Sequence, residues 1–430
     1  MAFRDKRVAI VGGGLGALAL MNVALTCGMT NIEIFEQARE NGEVGAGVDI
    51  TANANRVLDA FGLKETLLRY SSPKLPYFME YHHYKSGDYL GHIEEAHEPH
   101  ARLIHRGHLL QALKEFLPHD KIHYHKHLTS IDENKSPDPM SAPYTLHFGD
   151  GSTTEADIII GADGIKSKVR REMGIGDSPN YSGQVVYRGY VDYKDLPEDT
   201  ANLLRTVVNF RGPKRHIICL PIGNQSTKTD RIGFIGFMTE SLETWDSENW
   251  VSRSEIGDLQ DHLSEWCPQV QHIIHGLFQS SPDGFMMKQA LYVRDPVDKW
   301  YKMKDDKEDV GIVLLGDAVH STLPHQGQGV AMAIESGVAL AIVLANWQSN
   351  DLRAAFQFYQ GIRKPRTDGV TRTSYEAGKL GSSDDPDHFS EKFNPDALMK
   401  RMEWVMDYNL LEDLHAKNNG RMTFKDSWLS

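Results

Sequence analysis

A turn of small residues near the N-terminus constrains the fold more than any other feature of the chain. An apolar, strand-prone run at 7–11 leads into Gly-Gly-Gly-Leu-Gly-Ala at 12–17, and an apolar helical pattern follows at 18–25. This order puts Gly12 and Gly14, with an alanine in the last place, on the fingerprint G-x-G-x-x-G/A of dinucleotide-binding proteins. The pattern predicts a strand, a tight turn and a helix whose N-terminus holds a pyrophosphate.

Glu36 indicates which dinucleotide is bound. It ends a second short strand at 32–35, a little over 20 residues after the turn, where such folds carry an acid that accepts hydrogen bonds from ribose hydroxyls. A carboxylate there repels a 2′-phosphate, so the sequence favours FAD or NAD over NADP. The alternative is a Rossmann-like unit that has lost its nucleotide.

A second glycine-rich stretch lies at 311–337. An apolar run ends at Gly316-Asp317, a loop passes through Pro324, and an Ala-rich helical pattern restarts after Gly327-Gln328-Gly329. The free backbone N–H groups of 327–330, at the start of a helix, suit an electron-rich ring edge. Asp317, at the end of a strand, suits a sugar-like hydroxyl. An ordinary strand–loop–helix connection remains the alternative.

Asp49 and Arg106 stand out because each lies where its charge is unfavourable. Asp49 lies in the apolar stretch 45–50, where a carboxylate must be paired, solvated or functional. A loop-facing aspartate is the other interpretation. Arg106 opens a helical pattern, which is electrostatically unfavourable unless an anion binds there too.

Composition excludes several classes of protein. The 430 residues are 40% hydrophobic and 24% charged, enough for a large core and two interwoven domains. The net charge of −13 disfavours nucleic acid and anionic membrane as partners. The start of the chain does not resemble a secretory signal, and no apolar run is expected to approach the ~18 residues of a membrane span. We therefore expect a cytoplasmic protein.

The sequence offers no metal site. Its three cysteines are far apart, which suggests neither a disulfide framework nor a metal centre. The alternation of His123, His125 and His127 places three imidazoles on one predicted strand face. An exposed strand face explains them better than a metal, because no carboxylate or cysteine completes a ligand set.

Alternating patterns outside the nucleotide-binding stretches predict a second, β-rich domain. A hairpin from 78–84 and 89–93 and an acidic helical interval over 243–266 are expected in this domain, and a single strand over 153–160 is expected in the first domain. The predicted fold is α/β. The predicted domains are a Rossmann-like FAD-binding domain (1–71, 101–181 and 297–380), a β-sheet substrate domain (72–100 and 182–296) and a C-terminal helical segment (381–430).

Three stretches in order carry a family resemblance. The 12–17 turn with Glu36, Gly-Ala-Asp-Gly at 161–164, and the loop at 316–329 together resemble single-component FAD-dependent aromatic hydroxylases. The similarity is greatest to salicylate-hydroxylase-like enzymes and fungal secondary-metabolite monooxygenases, and it covers roughly residues 7–375. It implies a fold of the para-hydroxybenzoate-hydroxylase type. In that family NADH or NADPH visits transiently to reduce FAD, O₂ adds at flavin carbon 4a, and the hydroperoxide passes one oxygen atom to an activated ring.

The resemblance also implies roles for residues at the cofactor. Arg106 would hold the phosphate or ribityl region, Asp163 would contact both FAD and the pyridine nucleotide, and Pro324 would lie beside the reactive flavin edge. The complete set assigned to the cofactor is Gly12, Gly14, Leu15, Glu36, Gly47, Val48, Arg106, Asp163, Asp317, Gly327, Gln328, Gly329 and Val330.

On the substrate side, Tyr187-Arg188-Gly189 is similar to the aromatic-Arg-Gly strand of the family, where the arginine holds a phenolate or orients a carboxylate. An arginine on a sheet face, paired to a nearby acid, is the alternative. Asp49 lies where relatives place a residue near flavin and substrate, as a general base or a partner for an N–H such as that of an indole. The predicted catalytic residues are Arg188, Asp49 and Pro324, and the predicted substrate contacts are Arg188, Asp49, His216 and His325.

The expected function is hydroxylation of an aromatic small molecule by a monomer or homodimer. Leu220 stands where phenolic dearomatases carry a tyrosine, which disfavours dearomatisation. Epoxidation or oxidative rearrangement of a fungal-type indole alkaloid or polyketide is the alternative on the same scaffold. A non-catalytic binding protein derived from the flavin fold is the alternative from another class, and the intact loop at 324–329 argues against it.

Overall fold

The computed structural model describes residues 3–40, 47–134, 142–176, 179–223, 230–241, 251–305, 307–385, 389–390 and 392–428. The strands are β1 (Val8–Val11), β2 (Ile32–Phe35), β3 (Gly47–Ile50), β4 (Tyr77–His83), β5 (Tyr89–Glu94), β6 (Arg102–His105), β7 (Ile122–His123), β8 (Leu128–Glu133), β9 (Tyr144–Phe148), β10 (Thr153–Ala156), β11 (Ile158–Gly161), β12 (Asn180–Asp192), β13 (Val208–Gly212), β14 (Arg215–Ile222), β15 (Arg231–Thr239), β16 (Val251–Glu255), β17 (Phe285–Val293), β18 (Tyr301–Met303) and β19 (Gly311–Leu314). The helices are α1 (Leu15–Thr26), α2 (Ala52–Ala60), α3 (Lys64–Tyr70), α4 (Arg106–Lys114), α5 (Lys168–Glu172), α6 (Glu198–Leu203), α7 (Ile256–Leu263), α8 (Pro268–Ser280), α9 (Asp317–His320), α10 (Gly329–Asn346), α11 (Leu352–Gly381), α12 (Pro395–Met406) and α13 (Leu410–Lys417).

A six-stranded sheet in the order β18-β19-β11-β1-β2-β7 forms the half with the predicted nucleotide-binding turn. Its strands are parallel except for the edge strand β18. Strands β1, β11 and β19 are buried throughout, as parallel strands covered on both faces require. The predicted α/β class is confirmed.

Helices α1 and α10 touch backbone to backbone. A Cβ added at Gly337 would lie 2.1 Å from the carbonyl oxygen of Gly16, and one at Gly16 would lie 2.7 Å from the carbonyl oxygen of Ala333. The missing side chains let the two helices approach closely, which brings the turn before α1 and the loop before α10 to one edge of the sheet.

An eight-stranded sheet in the order β16-β17-β12-β15-β14-β13-β4-β5 forms the other half. One face buries apolar side chains such as Val185, Tyr187 and Val191 with those of α7 and α8. The opposite face, which carries Arg188 and Tyr190, is turned toward a large cavity. The alternation along β12 thus separates a packed face from a cavity-facing one.

Three local predictions are wrong. The expected single strand over 153–160 is two strands in different sheets, broken at Asp157, whose Oδ2 accepts the Arg7 N–H at 2.8 Å. The expected helical interval over 243–266 contains strand β16 before α7, and its residues 243–250 lie outside the described part. His123 ends β7 and His125 has φ of 60°, so the three histidines do not share a strand face.

Helix α10 corrects a further expectation. It is 18 residues long with a mean hydropathy of 1.8, long and apolar enough by itself to span a membrane. However, 83% of it is buried within the protein, as in the core helix of a globular fold.

Candidate active site

A cavity of about 1860 Å³ lies between the carboxyl edge of the parallel sheet and the open face of the eight-stranded sheet. It is far larger than the roughly 300–1,000 Å³ typical of small-ligand pockets. Fourteen of the predicted site residues line it: Gly14, Leu15, Gly47, Val48, Asp49, Arg106, Arg188, His216, Asp317, Pro324, His325, Gly327, Gly329 and Val330.

The turn after β1 provides space for a ligand at the N-terminus of α1. Gly12 has φ of 100°, and an added Cβ would lie 2.4 Å from the carbonyl oxygen of Ala162, so glycine is required there. Gly14 differs, because a Cβ at this position would meet no atom within 4 Å. As the N-cap of α1 it has no side-chain cap, so the first amides of the helix remain available to a phosphate.

Glu36 supports the turn from the end of β2. Its Oε2 accepts the Gly13 N–H at 2.5 Å and its Oε1 accepts the Ala38 N–H at 2.7 Å. The carboxylate lies beside the turn but does not line the cavity. This position fits an acid that orders the turn, and its contact with the sugar of a dinucleotide stays a prediction.

Replacement of Glu36 by arginine is expected to weaken FAD binding roughly 10- to 100-fold, because charge-assisted hydrogen bonds are worth roughly 1.5–3 kcal/mol. The flavin absorbance per purified protein measures retention, and FAD titration into stripped protein gives the dissociation constant. Glu40→Arg, an exposed neighbour with the same charge change, is the control. Equal flavin content in both variants would refute the predicted role of Glu36.

The loop between β19 and α10 also borders the cavity. Asp317 is surrounded by protein yet remains exposed to the cavity. Burial raises the pKa of its carboxyl, while Arg106 and Arg294 lower it. Gly327 adopts φ of 66° with open space beside it, so its backbone is accessible to a ligand.

Gln328 points away from the cavity into a buried polar network. Its Nε2 donates to Thr51 Oγ1 at 3.0 Å, and its Oε1 accepts from Asn53 Nδ2 at 3.2 Å. Asn53 Nδ2 also donates to Glu335 Oε1 at 2.6 Å. The Gln328 side chain therefore anchors the loop, and only the backbone of this residue is left for the predicted cofactor contact.

Glu335 is the centre of that network. It is fully buried on α10, and Arg366 donates to both of its carboxylate oxygens at 2.8 Å while Arg363 lies 2.7 Å from Oε2. Burial alone would raise its pKa, but Arg366 and Arg363 lower it to about 2. Arg366 also donates to the Val405 carbonyl at 2.8 Å, which ties the C-terminal helices to the loop region.

Asp49 enters the cavity from the ribbon formed by β3 and β6, where it is the cross-strand partner of Leu103. Its Oδ1 is buried and has no hydrogen-bond partner among the residues that the structure describes. Burial raises the pKa of the carboxyl to about 8, and the charge of Glu95 contributes in the same direction. The carboxyl is therefore mostly protonated at neutral pH and has one oxygen without a partner beside the cavity.

Arg188 enters the same cavity from β12. Its Nε is buried without a partner, and no carboxylate pairs with it within the described part of the chain. Burial lowers the pKa of the guanidinium, and the neighbouring Arg106 lowers it further. The alternative interpretation from the sequence was that Arg188 pairs with an acid on the sheet face. The geometry instead leaves the cation available to an anionic ligand group.

Two neutral histidines form an aromatic wall. His216 stacks on Phe237 with ring centroids 4.5 Å apart, and His325 lies 4.9 Å from the same ring. Burial lowers the pKa of His216 well below its usual value and that of His325 to about 4. Both rings are therefore uncharged at neutral pH and can offer a hydrogen bond without adding charge.

Four predicted cofactor residues lie behind the cavity surface: Gly12, Glu36, Asp163 and Gln328. Asp163 caps α5, because its Oδ2 accepts the N–H groups of Lys168 at 2.6 Å and Val169 at 3.0 Å. Its neighbours Ala162 and Gly164 do line the cavity. The assignment of these positions to the cofactor stays a prediction.

The polar residues that line the cavity and were not predicted from the sequence include Tyr81, Tyr190, Asn209 and Arg211. Tyr190 lies two positions after Arg188 on the same strand face, and its hydroxyl is 3.2 Å from His105 Nε2. Asn209 and Arg211 alternate with buried apolar residues along β13. In a strand, every second side chain lies on the same face, and this alternation was the signal that could have found these residues.

The FAD binding domain family matches residues 5–252 of the chain. The chain belongs to this family. Its relative 6-hydroxynicotinate 3-monooxygenase from Pseudomonas fluorescens is 30% identical over 89% of this chain and 94% of the relative. Salicylate hydroxylase from Pseudomonas putida is 28% identical over 95% of this chain and 94% of the relative.

Solved structures agree with these relatives. The flavoprotein matches a salicylate hydroxylase substrate complex with a TM-score of 0.77 and 25% identity, over 95% of this chain and 97% of that one. CtdE in complex with FAD and a substrate matches in fold with a TM-score of 0.79 at 20% identity, over 97% and 98% of the two chains. The predicted family is confirmed, and the chain is an FAD-dependent monooxygenase.

Proposed function

We propose that this flavoprotein hydroxylates an electron-rich aromatic small molecule, with NADH or NADPH as reductant and O₂ as oxidant. The observation that carries the proposal is the convergence of Asp49 and Arg188, an acid and a cation without partners in the described chain, on the cavity that the loop at 324–330 borders. The relatives are named for 6-hydroxynicotinate and salicylate, which are hydroxylated aromatic acids. A phenolate or carboxylate of this kind would complement Arg188.

The features around the cavity fit FAD: the open space at Gly14, the uncapped start of α1, and Asp317 facing the space from the other side. When bound, FAD supplies the redox chemistry that activates O₂. The residues of the chain do the remaining work. Arg188 holds an anionic group of the ring, Asp49 takes or holds a proton at the ring substituent, and the apolar walls exclude water.

Asp49 gives the reaction an expected pH dependence. Because its pKa is raised to about 8, the carboxyl becomes a proton acceptor only as the pH rises through that value. Coupled hydroxylation should therefore increase with pH around 8, and Asp49→Asn should remove this increase while FAD stays bound. The measurement is product formed per NAD(P)H consumed, from pH 6 to pH 9.

The raised pKa of Asp49 affects stability in the opposite direction: stability falls as the pH rises, whereas activity is expected to increase. The folded protein keeps a proton that the unfolded chain loses at the ordinary carboxyl pKa, so the contribution of Asp49 to stability falls as the pH rises toward 8. Asp261→Asn, an exposed change on α7, is the matched control for both measurements. A pH profile of Asp49→Asn that superimposes on the wild type would remove Asp49 from the mechanism.

Epoxidation or oxidative rearrangement of an indole or polyketide on the same scaffold is the second candidate. The unpartnered Asp49 Oδ1, which can accept an indole N–H, favours it. A panel of salicylates, other phenols, hydroxypyridines and indoles separates the candidates. A true substrate is expected to accelerate NAD(P)H oxidation while much less peroxide is released than NAD(P)H is oxidised. If no compound of any class does so while FAD is bound and reducible, the proposal fails for these aromatic classes.

A further inference from the structure

We propose that the cavity holds a second polar subsite at Asn209, which binds a hydrogen-bond donor at the far end of an elongated aromatic substrate. This inference rests on the proposed function and narrows its substrate class. A single ring held at Arg188 would leave this subsite empty. The substrate that fits the part of the cavity along the eight-stranded sheet has an anionic or acceptor group at one end, an apolar body, and an N–H or O–H group at the other end.

One row of residues across the eight-stranded sheet forms the floor between the two ends. Arg188 on β12 pairs with Ile235 on β15, Ile235 pairs with Ile218 on β14, and Ile218 pairs with Asn209 on β13. All four side chains line the cavity. The floor thus has one polar residue at each end and two β-branched apolar residues between them.

The register fixes the length of this floor. Three strand spacings of roughly 4.8 Å each separate the backbones of Arg188 and Asn209, or roughly 14 Å in all. Two residues border the Arg188 end. The charge of Arg106 lowers the pKa of Arg188, and the hydroxyl of Tyr190 contacts His105. That end therefore lies beside the elements assigned to the cofactor, and Asn209 lies away from them.

The hydrogen-bonding capacity of the Asn209 side-chain amide is not fully used within the described part of the protein. The residue is 4% exposed, and its Oδ1 is buried without a hydrogen-bond partner among the described residues. Its Nδ2 makes a weak contact with Met79 Sδ at 3.6 Å. A buried carbonyl oxygen without a partner is costly, so a ligand that donates to it gains binding energy as it removes that cost.

Residues of the C-terminal segment border the Asn209 end. Tyr81, the cross-strand partner of Asn209, packs on Phe393 with ring centroids 4.8 Å apart. The guanidinium of Arg211 lies 5.0 Å from the centroid of the same phenyl ring. Leu398 and Met402 of α12 also line the cavity. Aromatic and apolar side chains therefore border the far end of the floor.

The test compares ligands that differ only at the far end. We would titrate the FAD-bound protein with a biphenyl that carries a salicylate-type ring and a distal carboxamide, and with the same biphenyl carrying a distal methyl group. The change in flavin absorbance reports binding without turnover. The wild type is expected to bind the carboxamide about tenfold more tightly than the methyl compound.

Asn209→Leu should abolish that preference while leaving the affinity for the methyl compound unchanged. Asn209→Ser, which keeps a hydroxyl acceptor, should retain part of the preference. Equal binding of the two compounds by the wild type would overturn the subsite, as would an undiminished preference in Asn209→Leu. Salicylate binding and FAD reduction, measured on the same samples, separate these outcomes from failure of the proposed function. If salicylates bind and stimulate reduction while both biphenyls are excluded, the elongated substrate class is wrong and the hydroxylase proposal stands.

Discussion

Replacement of Glu335 by glutamine is expected to lower the free energy of unfolding by about 3–5 kcal/mol, because removing one partner leaves buried charges uncompensated. Arg363 and Arg366 are both buried, and Glu335 is the carboxylate paired with each of them. The loss should also release Asn53 and, through it, the Gln328 side chain. Denaturant unfolding of the FAD-free protein measures the stability, and FAD titration measures the effect on the loop.

The matched control is Glu376→Gln on α11. Glu376 also pairs with an arginine, Arg372, but that pair is more than half exposed at both side chains. The control should change stability by less than about 0.5 kcal/mol, as exposed helical pairs do. If the two variants lose similar free energy of unfolding, burial does not determine how much the ion pairs of Glu335 stabilise the protein.

Replacement of Arg188 by alanine should reduce kcat/KM for substrate-dependent NAD(P)H oxidation roughly 10- to 100-fold, the range expected for the loss of a hydrogen bond to a charged group. FAD content should stay unchanged, because Arg188 extends from the eight-stranded sheet and not from the nucleotide-binding half. Arg188→Lys should recover part of the loss, since it restores the charge but not the planar guanidinium.

Arg205→Ala is the control for this series. Arg205 belongs to the same half of the molecule, but it is exposed and pairs with Asp230 at 2.8 Å. Its removal should leave turnover unchanged. If Arg188→Ala turns over like the wild type, Arg188 is a structural residue and the anion-binding role is wrong.

The local features of the fold were predictable where a short motif dictates them. The turn at 12–17 must contain glycine because Gly12 adopts positive φ and abuts Ala162, and this requirement is visible in sequence. Strand β2 and the hairpin of β4 and β5 follow from short alternating or apolar runs bounded by turn residues. The loop at 316–329 was likewise located from its glycines and its proline.

Features that depend on pairing between distant segments were not predictable. The backbone break at Asp157 arises because Arg7, some 150 positions away, binds its carboxylate. The direction of Gln328 depends on Thr51 and Asn53. Asn209 becomes a candidate ligand contact only when the register of four strands places it in line with Arg188. Sequence patterns specify which face a residue occupies, but not what lies opposite that face.

The most direct test of the central claim is hydroxylation under ¹⁸O₂. The FAD-loaded protein would be supplied with NADH or NADPH and the most stimulating compound of the aromatic panel, and the product would be analysed by mass spectrometry. The monooxygenase account predicts one ¹⁸O atom in each product molecule and peroxide well below the NAD(P)H consumed. A product without ¹⁸O, or peroxide equal to the NAD(P)H consumed, would contradict it.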